Sequence, residues 1–129
     1  MPASVAFEYA LIRIVPDVTR GERLNAGIIL YAPSANFLGC ELAIDVAGLL
    51  ALAPRCDARA IAEHLEALRR VAAGDPGAGP IASLVASERF HWLVAPRSTI
   101  IQVSRPHVGV CEEPEVTLRR LLATLVERE

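Results

Sequence analysis

The chain has 129 residues, 53% of them hydrophobic and 22% charged, with a net charge of -2 at pH 7. One domain spanning residues 1–129, with enough apolar surface to close a core, follows from those figures, and a disordered chain is excluded. An acidic balance also argues against a general nucleic-acid binder, which needs a basic excess.

Phe7 to Val15 reads as a central strand because both of its alternating faces are largely apolar, with Arg13 the one charged residue among Phe7, Tyr9, Leu11 and Val15. Pro16 ends it, and a polar turn containing Gly21 leads to a second strand over Leu24 to Tyr31. Ala32 to Asn36 is a second turn. Phe37 to Ile44 follows as a half-buried strand, with Leu38, Cys40, Leu42 and Ile44 on one side. Short turns between these three make an antiparallel meander.

Asp45 caps a short helix that Pro54 stops, and Asp57 caps a longer one to about Ala73, with Ile61, Leu65, Leu68 and Ala72 on one face. Gly74 and Asp75-Pro76-Gly77 turn the chain away. Ile81, Leu84 and Val85 fit a brief helix, and Phe90 to Val94 fits a strand or a tight extended segment. Thr99 to Ser104 reads as another strand and Pro106 to Glu112 as loop. Pro114 opens a last helix whose Leu118, Leu121, Leu122, Leu125 and Val126 share a face. The expected fold is α+β: an antiparallel meander sheet of about four to five strands, with helices against one sheet face.

All thirteen basic residues are arginine. No Schiff-base, P-loop or kinase-type lysine can exist, so any bound anion is held by guanidinium forks, histidine or backbone amides. Cys40, Cys56 and Cys111 are widely spaced and form no CxxC, so they read as free thiols of a reducing cytoplasm. His107 and Cys111 have a ligand-like spacing but lack two further ligands nearby, so no metal and no cofactor is expected. The first residues carry no basic segment before an apolar stretch, and Val46 to Ala53 falls far short of the roughly 20 residues that span a bilayer. A cytoplasmic location without membrane attachment is the expectation.

Polar residues concentrate in two segments. The first is Arg20 to Gly27, with Glu22 and Asn25. The second carries Arg89, His91, Trp92, Arg97, Ser98, Gln102 and His107 within twenty positions. Arginine beside aromatics is the composition of an interaction hot spot. The candidate binding residues are therefore Arg13, Glu22, Asn25, Arg89, His91, Trp92, Arg97, Ser98, Gln102 and His107, with the two segments meeting in space. Arg13, mid-strand among apolar neighbours, is expected to pair with Glu22.

Phe7 to Pro16, then Gly21-Glu22 and Asn25 to Leu30, resemble the opening of a bacterial family known as domain-of-unknown-function family 3037. Arg89-Phe90, Trp92-Leu93 and Arg97 to Gln102 resemble its second signature, and His107, Gly109 and Glu113 to Leu125 its tail. The resemblance carries no activity. Its implied partner is a HipA-like kinase, encoded beside members of the family.

No nucleophile with a base, no cluster of three metal ligands and no glycine-rich phosphate loop stands in the sequence. The expectation is a cytoplasmic binding or accessory protein without catalytic activity, engaging a HipA-like kinase or its own copy as a homodimer. The alternative is an enzyme or small-ligand binder that holds an anionic group, a nucleotide or phosphate, with its Arg/His/Gln cluster.

Overall fold

A computed structural model describes residues 3–96 and 99–127. Three strands, β1 (Val5–Ile14), β2 (Leu24–Ala32) and β3 (Phe37–Leu42), form the expected meander. Asn36, in the left-handed region at φ 50°, closes the tight connection between β2 and β3. Helices α1 (Val46–Leu52), α2 (Ala58–Ala72) and α3 (Ala86–Leu93) follow, then β4 (Ile101–Val103), β5 (His107–Cys111) and α4 (Pro114–Leu125). The Asp45 and Asp57 carboxylates accept from the Gly48 and Ala60 amides at 2.9 and 3.0 Å, satisfying donors that the first turns of α1 and α2 leave free.

β4 and β5 both pair antiparallel with the free edge of β1, at opposite ends of it. Between them Ser104 stitches the edge twice: its amide donates to the Leu11 carbonyl at 2.8 Å, and its hydroxyl accepts from the Leu11 amide at 2.8 Å. The two short strands thus act as one interrupted strand, and β1 is central.

The sheet carries helices on both faces, where one covered face was expected. Ile12, Ile14, Ile29 and Cys40 gather with Leu49, Leu65, Leu68 and Leu93 of α1 to α3. Phe7, Ile28, Leu30 and Ala32 gather with Leu118, Leu122 and Val126 of α4. The cause is β2, in which the neighbours Ile28 and Ile29, pointing to opposite faces, are both fully buried. A β-bulge adds to this. Ile12 lies opposite Gly27 but Arg13 opposite Asn25, which makes Ala26 the extra residue. Leu24 and Ala26 therefore join the same cluster as Ile29 although their parity in sequence is opposite.

Two other segments depart from the expected pattern. Phe90 to Val94 is not extended; Phe90 and Leu93, three residues apart, are the buried face of α3. His107 to Cys111 is strand where loop was expected, because β1 offers it an unpaired edge. The brief helix at Ile81 is a 3-10 turn over Pro80–Ser83. Among the described residues no helix is long and apolar enough to cross a membrane.

Candidate functional site

Arg13 lies opposite Asn25 on one side and Gln102 on the other. Directly opposed residues share a sheet face, so the three form a polar row across β2, β1 and β4 on the face that α4 covers. Asn25 Nδ2 donates to the Leu125 carbonyl at 3.1 Å, satisfying one of the free carbonyls at the end of α4. Gln102 Nε2 donates to the Thr99 carbonyl at 3.1 Å. One residue from each polar segment is thereby brought to Arg13.

The expected Arg13–Glu22 pair does not form. Glu22 is taken by Arg20, with Nε to Oε1 at 2.6 Å, since both stand in the loop that joins β1 to β2. Arg13 is half-buried, and its Nε is enclosed with no hydrogen-bond partner among the described residues. Burial, and after it the like charge of Arg23, lower the Arg13 pKa from its ordinary value. Arg23 itself makes no ion pair among the described residues. Farther along the same face His107 lies opposite Tyr9, their ring centroids 5.1 Å apart and the planes tilted by 30°.

Arg89, His91 and Trp92 stand across the sheet from this row, on α3. Phe90 and Leu93 anchor that helix in the first cluster, Phe90 with its ring 5.0 Å from that of Tyr31. Arg89 is a structural clamp: Nη1 donates to the Leu84 carbonyl at 2.7 Å and Nη2 reaches the Ala72 carbonyl at 3.4 Å, tying α3 to the end of α2. His91 and Trp92 lie on the outer side of α3. Arg97 and Ser98 fall outside the described residues.

A cleft of about 560 Å³ opens where the loop after β1 meets the joint between α1 and α2, lined by Pro16, Arg20, Leu52, Arg55, Ile61 and Ile100 among others. Of the described candidates only Glu22 reaches it. Its acidic neighbours have local tasks: Asp57 caps α2, and Asp17 accepts from the Thr19 amide and hydroxyl, bonds that lower its pKa. Cys40 is buried in the core, where desolvation pushes its thiol up to about 12, so it holds no thiolate at neutral pH. Among the described residues no three His, Cys, Asp or Glu side chains gather as metal ligands would.

One surface escaped sequence reasoning. β5 is an edge strand, and Val108 and Val110 on it are 80% and 69% exposed. Its five residues pair with β1 without a bulge and carry no Lys, Asp or Glu, devices that commonly protect an open edge. The signal was present as an alternation of Val108 and Val110 with His107, Gly109 and Cys111. Gly109 allows it, since a Cβ there would lie 2.6 Å from the Phe7 ring.

The model of the family described as "Protein of unknown function (DUF3037)" matches residues 9–126. No curated protein and no solved structure matches the chain. The matched span runs from Tyr9 on β1 through Val126 just past α4, so it takes in the polar row, the β5 edge and most of both cores, and the chain belongs to the DUF3037 family.

Proposed function

We propose that this protein is a binding module without catalytic activity, which engages a protein partner by adding one of the partner's strands to the open edge of β5. The observation that carries this reading is the exposure of Val108 and Val110 on an unprotected edge strand. Strand addition draws its affinity from backbone hydrogen bonds and its specificity from alternate side chains. The incoming strand would lay apolar residues against Val108 and Val110, and Pro106 and Glu112 would bound its register. The commitment of Cys40, Asp57 and Arg89 to core, cap and clamp supports binding over turnover. The resemblance nominates a HipA-like kinase as the partner, and a cytoplasmic setting goes with it.

The test uses the purified chain and a purified HipA-like kinase. Wild type binds, and the double change Val108→Lys, Val110→Lys weakens binding at least tenfold. Both side chains are exposed, so the thermal melt stays within a few degrees of wild type. Unchanged affinity in the double variant overturns the proposal. Light scattering supplies the second readout: a wild-type dimer that the same changes dissociate assigns the edge to a second copy instead of the kinase.

A further inference from the structure

We propose that Arg13 and Arg23 form an anion-binding site on the α4 face of the sheet, which takes a phosphate or carboxylate group flanked by the Asn25 and Gln102 amides. This site is independent of the β5 edge and stands on different observations. A guanidinium held half-buried near the end of a central strand loses hydration, and it regains stability through an acceptor. Arg13 has none among the described residues; Arg89 also has an enclosed Nε without a partner, but its Nη atoms are held by the Leu84 and Ala72 carbonyls, so it is Arg13 whose guanidinium lacks an acceptor. The Glu22 carboxylate is bound by Arg20 at 2.6 Å.

Arg23 makes the deficit larger: it stands two residues before Asn25, which lies opposite Arg13, and its like charge opposes that of Arg13. The end of α4 does not cancel this. Its free carbonyls amount to about half an elementary negative charge, set against two full positive ones. One of them, that of Leu125, is also occupied by Asn25.

The surrounding amides are already oriented. Asn25 and Gln102 each donate one N–H to a backbone carbonyl, at 3.1 Å in both cases, which fixes the amide planes. Each amide nitrogen keeps a second N–H to offer. A planar guanidinium fork between two fixed amides suits the paired oxygens of a phosphoryl or carboxylate group.

The experiment follows the Nε–Hε signal of Arg13 by NMR in the full-length labelled protein. Sodium phosphate and a short Glu-rich peptide are titrated separately, with chloride at matched ionic strength as the control. The signal shifts saturably with at least one of the two ligands. A response to phosphate assigns a phosphoryl group, and a response to the peptide alone assigns a carboxylate. Arg23→Gln, at an exposed position, weakens that binding at least tenfold. In parallel the bound anion raises the wild-type Tm and leaves that of Arg13→Met unmoved. Absence of saturation with either ligand overturns the site, as does an equal Tm rise in Arg13→Met. Val108→Lys leaves all these titrations intact, so failure here and failure of strand addition are told apart.

Discussion

At Cys40 the side chain is only 7% exposed, and the loss of hydration holds its thiol near 12. Cys56 stands half-buried at the joint of α1 and α2. Iodoacetamide at pH 8 should therefore modify Cys56 while Cys40 stays unmodified until the protein is unfolded, as peptide mass spectrometry would report. Early labelling of Cys40 in the native protein contradicts the burial described. Arg13 leads to a less usual expectation. Replacing an unpaired, half-buried cation with an apolar chain of similar reach removes a desolvation cost, so Arg13→Met should leave Tm unchanged or raise it. A fall of more than about 4 °C, equivalent to roughly 1 kcal/mol in a domain of this size, would mean that Arg13 is a structural residue. Arg13 stood out in the sequence as the charged member of an apolar strand. Its want of a carboxylate partner did not, because Glu22 is nearer in sequence to Arg20 and the loop geometry decides between them.

The end of α2 is tied by exposed ion pairs whose pH response has a defined sign. Asp75 accepts from Arg70 Nε at 2.8 Å and from the Gly77 amide at 2.9 Å, and these bonds lower its pKa from 3.8. Glu66 is held down in the same way by Arg69. A carboxylate with a depressed folded pKa contributes stability above its unfolded pKa and loses it as pH falls through the folded value. Urea midpoints should therefore drop below about pH 4, and Asp75→Asn with Glu66→Gln should flatten that drop. An equally steep drop in the double variant would place the acid sensitivity elsewhere. Helices α1 and α2 were legible from their Asp caps, and α4 from Pro114 in its first turn and the spacing of its leucines. α3 was not, since Phe90, Trp92 and Val94 favour extended structure locally, and it is Phe90 and Leu93 meeting the core on one side that makes the segment helical. β5 was hidden for a related reason: a strand with two outward valines and a central glycine is stabilised by β1, which lies about a hundred residues earlier.

Two apolar clusters on opposite sides of one sheet raise the question of whether the molecule has one unfolding transition or two. β1 and β2 contribute to both clusters, with Ile12 and Ile29 to one and Phe7 and Ile28 to the other. Losing either cluster exposes strands that the other requires, so unfolding should be a single cooperative event. Leu65→Ala on α2 and Leu118→Ala on α4 should each lower stability by about 2–5 kcal/mol. Far-UV circular dichroism and Trp92 fluorescence should keep coincident transitions in both variants. If Leu118→Ala melts part of the dichroism while the Trp92 signal holds, α4 is a separate unit. At this scale the sheet and its meander were readable from the strand periods. Helices on both faces were not, because an all-apolar strand does not say which helix covers which side.

Ser104 closes the sheet with a bond to Leu11 that spans 93 residues. A ribosome extruding this chain releases β1 to β3 first, and the segment that completes β1 only after all three intervening helices have emerged. At the usual rate of about 5–20 residues per second, the long edge of β1 waits for several seconds without its neighbour. Until then that edge is open to pairing with any nascent strand nearby. The interval calls for dilution or a holding chaperone during synthesis, and its end coincides with the arrival of β5, which exchanges a buried edge for the exposed one that the finished protein keeps.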